Sequence, residues 1–355
     1  MLPMQTDHLP ISSALAAAGP PSAAAMKQRL AGRMRWPAAL GKTSAPRTCS
    51  NSVAVRSSAR RRSSSTNASA TTATVDPAEV ARFSKISERW WQPDGPMAGL
   101  HHMQPTRMAY IKHVILSQDS REQASATVGS ADPADTLAGL RVLDVGCGAG
   151  LLTEPLARLG ANTVGVDATG PNIDAARWHA TLDPTLQGRV EYHHCTVEAL
   201  AANPEHFEGY DAVCAMEIVE HLAPGTIGEF YAGCADCLKP GGVLITSTIN
   251  RTQASYALAI VAAEHVLRWV EVGTHQWDKF VTVEECAAAL AGAGLRPRTG
   301  GGVGRAPAIG ISDVGGGFAA TGMVYGPLTG SWTLSDDTDV NYLMCATKPA
   351  VDPSR

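Results

Sequence analysis

The stretch VLDVGCGAG (142–150) runs from apolar residues into glycines at alternate positions, and VGVDATG (164–170) follows about twenty residues later. Because glycine lacks a Cβ atom, the backbone of the first stretch can turn sharply and approach a ligand closely. A helix that follows such a turn directs its free amide groups at the ligand. Asp167 ends the second stretch, where a carboxylate in a βαβ unit typically accepts the hydroxyls of a ribose. The two stretches therefore predict a nucleotide-type cofactor pocket.

Two residues in and beside the glycine turn indicate which cofactor the pocket binds. A dinucleotide fingerprint reads G-x-G-x-x-G, but here Leu151 stands at the position of the last glycine. Asp144 precedes the glycines and would lie unfavourably beside a pyrophosphate, whereas it complements the cationic methionine end of S-adenosylmethionine. The charges therefore favour S-adenosylmethionine. A nicotinamide-dependent oxidoreductase is the alternative, and equilibrium binding of the two cofactors distinguishes them.

Predicted strands and helices alternate after the leader of the chain. The predicted strands are RVLDVG, NTVGVD, RVEYHHC, YDAVCAM and GVLITST, with helical patterns such as LLTEPLARL and NIDAARWHA between them. This alternation predicts an α/β fold, a Rossmann-like doubly wound and mainly parallel sheet that binds ligands at the carboxyl ends of its strands. Before the sheet, the pattern predicts a helix over 81–90, a loop rich in proline and glycine, and a second helix from near Pro105.

Residues 1–75 differ in composition from the rest of the chain. They contain ten Lys or Arg and a single acid, Asp7, and they are rich in Ser, Ala and Thr. This profile is typical of an organelle transit peptide or a disordered leader. Because the whole chain of 355 residues has a formal net charge of −4, the remainder is strongly acidic. The composition therefore predicts a single domain over 76–350 and argues against nucleic-acid binding.

The segment 250–280 has the pattern of an insertion into the domain. Its apolar positions lie on a helical stretch interrupted by Glu264, His265 and Arg268. No apolar run reaches the roughly 18 residues that a spanning helix needs. The segment is therefore predicted to lie over the active site as a lid or flat in a membrane interface, and an ordinary core helix is the alternative.

Several uncommon strings in this order resemble one family, the mitochondrial and bacterial O-methyltransferases of ubiquinone (coenzyme Q) biosynthesis. They are RWWQPDGPMAGLHHMQPTRMAYI (89–111), VLDVGCGAGLLTEPLARLGA, ARWHA (176–180), CAMEIVEHL (214–222), LKPGGVLITSTINRT, AEHVLRWVEVGTHQWDKF (263–280) and DVNYLM (339–344). The glycine motif suits any class I methyltransferase, but the paired tryptophans and the GTHxWxKF string are narrower. The resemblance implies a class I S-adenosylmethionine-dependent methyltransferase fold.

The resemblance also implies which residues bind the methyl donor. Arg107 is expected to pair its planar cation with the methionine carboxylate. Gly146 is expected to allow backbone approach, and Asp167 to bind the ribose. Met216, at the predicted end of the fourth strand, is expected to form an apolar and adaptable wall.

A divalent cation, magnesium, is implied at Glu217, Glu220 and His221. If the chain becomes helical after the fourth strand, these three side chains share one face and can converge on a metal. Such a metal would lower the pKa of a bound catechol hydroxyl. Without a metal, His221 is the expected proton acceptor. His101, His102 and His275 are alternative pocket histidines.

The implied reaction is methylation of a ring hydroxyl of polyprenylated catechols, of the 3,4-dihydroxy-5-polyprenylbenzoate and demethylubiquinol type. The implied location is the matrix side of the mitochondrial inner membrane, as a peripheral protein in contact with lipid and with other biosynthetic proteins. A plastid destination is the alternative reading of the leader. Another small-molecule class I methyltransferase and a non-catalytic scaffold subunit are the alternative functions. Gly326, where the family commonly has Asn, is a departure from the pattern near the substrate end.

Overall fold

The computed structural model describes residues 73–117, 135–266, 276–298, 312–313 and 317–350. The leader predicted over 1–75 lies outside these residues except for its last three positions. Most of the glycine-rich stretch near residue 300 and the segment 267–275, with His275, also lie outside them.

One mixed sheet forms the centre of the fold. Its strands are β1 (Arg141–Val145), β2 (Asn162–Asp167), β3 (Val190–His194), β4 (Tyr210–Met216), β5 (Leu238–Ile249), β6 (Arg296–Pro297), β7 (Ser312–Asp313), β8 (Ala319–Gly326), β9 (Ser331–Ser335) and β10 (Asn341–Thr347). The main order is β3-β2-β1-β4-β5-β10-β8-β7, with β6 on β10 and β9 on β8. The five first strands pair in parallel, and β10 is antiparallel to β5 and β8. The predicted doubly wound α/β sheet is confirmed.

Helices cover both faces of the sheet and its carboxyl edge. They are α1 (Pro77–Ile86), α2 (Ala98–Leu116), α3 (Thr153–Arg158), α4 (Gly170–Ala180), α5 (Val197–Ala201), α6 (Ile227–Cys237), α7 (Gln253–Ser255) and α8 (Val283–Gly292). Single 3-10 turns occur at Ser87–Arg89, Pro184–Leu186, Val219–His221 and Trp277–Lys279. Side-chain caps begin several helices: Asp76 accepts from the Ala78 amide, and Thr282 forms a capping box with Glu285.

Two apolar clusters of buried residues pack on opposite faces of this sheet. One includes Tyr231 of α6 and Leu290 of α8, and the other includes Tyr110 and Ile111 of α2. Since both faces are covered, the central strands are apolar throughout, as in other parallel sheets. The open edge of the fold is therefore the row of strand ends that follows Val145, Asp167 and Met216.

The predicted start of the second helix near Pro105 is wrong, because α2 begins at Ala98 and Pro105 lies inside it. Proline removes one intrahelical hydrogen bond and crowds the preceding turn. The helix continues because one of its sides is buried, with Met103, Tyr110 and Ile111 among the buried residues. Tertiary packing thus outweighs the local preference for a helix end.

The insertion begins with α7, whose N-cap Thr252 forms a capping box with Ser255. It continues as a π-helix over Tyr256–Val266. The side chains of Tyr256, Leu258 and Val261 are largely exposed. No helix in the described part of the chain is both long and apolar enough to cross a membrane.

Candidate active site

A cavity of about 970 Å³ opens at the carboxyl ends of β1, β2 and β4, under α1 and α2. All seven residues predicted for the site line this cavity: Arg107, Gly146, Asp167, Met216, Glu217, Glu220 and His221. Asp144, whose charge favoured S-adenosylmethionine at the sequence level, lines it as well. These residues therefore lie together at the predicted edge of the sheet.

Gly146 occupies a position that only glycine fits. Its φ angle is +71°, in the left-handed region. A Cβ atom on this residue would lie 2.7 Å from Cδ1 of Ile218. Its amide donates to the Val166 carbonyl at 2.8 Å and so fastens the turn to β2. The backbone here lies open to the cavity because there is no side chain to fill the space.

Asp167 at the end of β2 organises the glycine turn. Its Oδ2 accepts from the Gly148 amide at 2.9 Å, and its Oδ1 accepts from the Thr169 amide at 2.7 Å and from Asn172 Nδ2 at 3.5 Å. Burial raises the pKa of this carboxyl, and the amide donors partly oppose the rise. A carboxylate oxygen has several acceptor sites, so Asp167 can hold the turn and still accept ribose hydroxyls.

Arg107 of α2 is a buried cation that forms no ion pair with any described residue. One of its terminal nitrogens donates to Gln104 Oε1 at 2.9 Å, and its Nε has no hydrogen-bond partner. Burial lowers the pKa of the guanidinium, while the nearby charges of Glu217 and Asp144 raise it. A buried charge is costly unless it is paired. The carboxylate of a methionine moiety would supply the missing partner, so the site fits S-adenosylmethionine.

Asp144 at the end of β1 lies on the same side of the cavity. Its Oδ2 accepts from the hydroxyl of Thr153 at 2.6 Å. Burial raises the pKa of Asp144 to about 7, and the Thr153 hydrogen bond and the charge of Arg107 limit the rise. Asp144 is thus a hydrogen-bond acceptor close to the cation of Arg107. Such a pair suits the methionine end of S-adenosylmethionine, which carries an ammonium group and a carboxylate.

The three residues expected to bind magnesium do not form a metal site as they are placed. Within the described residues, no three His, Cys, Asp or Glu side chains are grouped in a way that could hold a metal ion. The expected helix is reduced to a single 3-10 turn over Val219–His221, and Glu217 lies outside it with φ at +51°. The three side chains consequently do not share the face of one helix.

Each of the three side chains has its own protein partner. Glu217 Oε1 accepts from the Ser247 hydroxyl at 2.5 Å, and Glu220 Oε2 accepts from the Thr248 hydroxyl at 2.8 Å. Burial and the charge of Glu217 raise the pKa of Glu220 to about 7. The two glutamates therefore bind separate partners in this arrangement, and the metal site stays a prediction.

His221 is held by groups of α1 that sequence reasoning missed. Its Nδ1 lies 3.1 Å from Glu79 Oε2 and 3.3 Å from a terminal nitrogen of Arg82. The ring of Phe83 contacts the imidazole edge-on, with centroids 5.1 Å apart. Burial alone would raise the pKa of Glu79, but the hydrogen bond and charge of His221 and the charge of Arg82 outweigh it and hold this pKa at about 2.

The ionised Glu79 favours a proton on Nδ1 of His221, because a carboxylate can only accept a hydrogen bond. A carboxylate accepts the proton of Nδ1, and Arg82 donates to the same Glu79 oxygen at 2.6 Å. When the imidazole is neutral, with its proton on Nδ1, Nε2 carries the lone pair. It has no protein partner among the described residues, and His221 lines the cavity. His102, one of the alternatives, is exposed on α2, and His101 is bonded to the Trp90 carbonyl.

The fold and the site define the class of protein. A family model described as a methyltransferase domain matches residues 142–242, which include the glycine turn, Asp167 and the end of β4. The chain is thus a class I S-adenosylmethionine-dependent methyltransferase. A solved structure from Thermotoga maritima, described as a SAM-dependent methyltransferase and possible histamine N-methyltransferase, is 16% identical, covers 76% of this chain and 98% of its own, and has a TM-score of 0.42.

Closer relatives identify the family. The chain is 42% identical over 273 residues to the ubiquinone biosynthesis O-methyltransferase of Rhodopseudomonas palustris (strain BisA53), covering 77% of this chain and 93% of that protein. It is 44% identical to the protein of the same name from Bradyrhizobium sp. (strain ORS 278), with the same two coverages. The chain belongs to the ubiquinone biosynthesis O-methyltransferase family, and it is an S-adenosylmethionine-dependent O-methyltransferase.

Proposed function

We propose that this enzyme methylates a ring hydroxyl of a polyprenylated catechol, with His221 as the proton acceptor. The observation that supports this most is the composition of the large cavity. One part is lined by Arg107, Asp144 and Asp167, and another by apolar side chains of α1, the π-helix, β8 and β9, which are Phe83, Ile86, Leu258, Met323 and Trp332. A polar cofactor and an apolar, ring-bearing acceptor can therefore occupy the same cavity.

The methyl donor and the protein contribute different parts of the reaction. S-adenosylmethionine, when bound, supplies a methyl group on a positively charged sulfur. His221 Nε2 accepts the proton of the acceptor hydroxyl as the oxygen bonds to the methyl carbon; the carbon–sulfur bond breaks, and S-adenosylhomocysteine is the leaving group. Arg107 and Asp167 hold the two ends of the donor, and Met216 forms a wall beside it. The protein thereby contributes the orientation of the two reactants and a positioned base, and both lower the barrier to methyl transfer.

Magnesium at Glu217, Glu220 and His221 stays a prediction from the family resemblance. The described residues do not support it, because no three such side chains are grouped to hold a metal ion. A metal on Nε2 of His221 would take up the lone pair that the proposed proton transfer uses, while Nδ1 stayed on Glu79. If His221 accepts the proton, a chelator should leave the rate of methyl transfer unchanged. If a bound metal activates the catechol, a chelator should abolish methyl transfer.

The first test is methyl transfer by the full chain from labelled S-adenosylmethionine to a short-chain prenylated 3,4-dihydroxybenzoate, with and without EDTA. We expect a product methylated on one ring hydroxyl, at a rate that EDTA changes by less than about twofold. A product that is lost with EDTA and returns with magnesium would contradict the role of His221 as the base. Absence of product together with binding of S-adenosylhomocysteine would contradict the proposed acceptor and favour another small-molecule substrate.

We also propose that the enzyme acts as a peripheral protein on the matrix side of the mitochondrial inner membrane, alongside other ubiquinone-biosynthesis proteins. The basic, serine-rich composition of residues 1–75 supports an organelle address. A polyprenyl tail stays in the bilayer, so the enzyme must bring its cavity to the lipid. The exposed apolar side chains of the π-helix, next to Leu258 in the cavity wall, support this role for the insertion.

Charged substitutions on the π-helix test the membrane contact. Leu258 and Val261 are both largely exposed, and Leu258 is also at the cavity. We expect Leu258→Asp with Val261→Asp to lower flotation with cardiolipin-containing liposomes by at least about fivefold, because each buried aliphatic side chain contributes roughly 1.5–3 kcal/mol. Binding of S-adenosylhomocysteine should not change.

The control for this experiment is Leu182→Asp, at an exposed leucine that follows α4 and does not line the cavity. It makes the same substitution as Leu258→Asp, one exposed leucine replaced by one negative charge, outside the π-helix. Equal flotation of the wild type, the control and the double variant would rule out the proposed contact.

A further inference from the structure

Trp90 and Trp91, which follow the 3-10 turn after α1, are a pair that the reaction described above does not use. Trp90 is buried and lines the cavity. Its six-membered ring packs directly on Gly148: a Cβ atom on that glycine would lie 2.1 Å from Cη2 of Trp90. The φ angle of Gly148 is +53°, so glycine is required there on two grounds.

This contact places the Trp90 ring beside the expected ribose site. The Gly148 amide, on which the ring packs, donates to Asp167 Oδ2 at 2.9 Å. Gly148 therefore links Trp90 to the carboxylate that is expected to bind the ribose. An aromatic ring at this place offers a large apolar surface to the nucleoside part of a ligand.

Trp91 contacts two segments that adjoin the site without lining the cavity, the glycine turn and α4. Its indole N–H donates to the Ala149 carbonyl at 3.0 Å, one residue from Gly148. Its ring stacks on His179 of α4, with centroids 3.5 Å apart and planes 3° from parallel. The helix α4 begins three residues after Asp167. Trp91 thus connects the glycine turn with the last turn of α4, the helix that follows Asp167.

The imidazole of His179 is held in place by a buried carboxylate of α3. Its Nδ1 lies 2.7 Å from Oε1 of Glu154, whose side chain is fully buried and whose other oxygen accepts from Arg158 at 2.8 Å. A ring held in this way cannot follow a displaced tryptophan at low cost. The stack is therefore a rigid anchor for Trp91.

We propose that Trp90 is a cofactor-binding residue that packs on the nucleoside part of S-adenosylmethionine, and that Trp91 is its positioning residue. Trp91 holds the segment after α1 against the glycine turn through Ala149 and His179, and this fixes the Trp90 ring at Gly148. The proposal concerns the methyl donor and does not depend on the acceptor. It gives the paired tryptophans, an uncommon feature of the sequence, a physical role.

Isothermal titration of S-adenosylhomocysteine into Trp91→Phe tests the positioning role. Phenylalanine keeps an aromatic ring for the stack on His179 but cannot donate to Ala149. Without this hydrogen bond a smaller fraction of the free protein holds the segment in place, and we expect a Kd about tenfold higher than that of the wild type. The KM for the methyl donor should rise by a similar factor, while the KM for the catechol stays within twofold.

The matched control is Trp277→Phe. Trp277 also donates its indole N–H to a backbone carbonyl, that of Thr252 at 2.9 Å, but it does not line the cavity. Its Kd for S-adenosylhomocysteine should equal that of the wild type. Equal values for Trp91→Phe, Trp277→Phe and the wild type would overturn the positioning role.

Two more variants test the remaining parts of the proposal. His179→Gln keeps a polar partner for Glu154 but removes the stack, and should raise the Kd about threefold. Trp90→Leu should raise it by at least tenfold, because it removes the proposed contact with the ligand. Thermal unfolding of each apo variant shows whether it is folded. A folded Trp90→Leu variant with wild-type affinity would overturn the cofactor contact.

Discussion

Replacement of Asp167 by alanine is expected to weaken the binding of S-adenosylhomocysteine by more than about a hundredfold. The carboxylate accepts from the amides of Gly148 and Thr169, so its removal leaves two backbone donors unpaired next to the ligand. Each such donor costs roughly 1–3 kcal/mol, and 1.4 kcal/mol is a factor of ten in Kd. The variant also loses the expected acceptor for the ribose hydroxyls.

Titration calorimetry on Asp167→Ala and Asp167→Asn measures this effect. Asparagine keeps one acceptor oxygen, so we expect an intermediate loss of about tenfold. Asp174→Ala is the control, because Asp174 lies on the neighbouring helix α4 and is exposed, with only a 3.8 Å ion pair to Arg177. If Asp167→Ala bound within tenfold of the wild type, the assignment of the ribose site would be wrong.

The second large effect is expected at His221. His221→Gln should lower kcat by about 10²–10⁴-fold, the range typical of a lost general base. Glutamine has a similar length and keeps a polar group at Glu79, so the fold and the cofactor site should be preserved. The Kd of S-adenosylhomocysteine should remain within about twofold of the wild type, because His221 is expected to face the acceptor.

Single-turnover methyl transfer separates this loss from slow product release. His102→Gln is the matched control, since His102 is an exposed histidine of α2. It should have the wild-type rate. A single-turnover rate for His221→Gln within fivefold of the wild type would mean that another group takes the proton.

Residues at the ends of strands could be predicted from sequence, and the structure shows why. Asp167 and Met216 end apolar strands whose length and spacing are evident in the sequence, and the topology of a parallel sheet brings such ends together. Gly146 was predictable for the same reason, because a tight turn that follows a strand requires glycine.

Contacts between distant segments could not be predicted in this way. Glu79 lies on a helix far before the sheet, and no local pattern indicates that it reaches His221. The stack of Trp91 on His179 depends on how the segment before the sheet crosses α4. The paired tryptophans were visible as an unusual motif, but their partners became visible only in the folded chain.

The absence of the expected helix over 217–221 has a local cause. The prediction assumed helical spacing from Glu217 onwards, which would place positions 217, 220 and 221 on one side. The left-handed conformation of Glu217, with its amide donating to the Ser247 carbonyl at 3.0 Å, breaks that spacing at its first residue. A non-glycine residue with positive φ is uncommon and cannot be read from its sequence.

The most direct test is a crystal structure of the full chain with S-adenosylhomocysteine and a prenylated catechol, grown with magnesium present. We expect the ribose hydroxyls to bond to Asp167, Arg107 to pair with the amino-acid carboxylate, and a catechol oxygen to lie within hydrogen-bond distance of His221 Nε2 while Nδ1 stays on Glu79. A catechol bound to a metal held by Glu217, Glu220 and Nε2 of His221 would contradict the proposed role of His221 as the base.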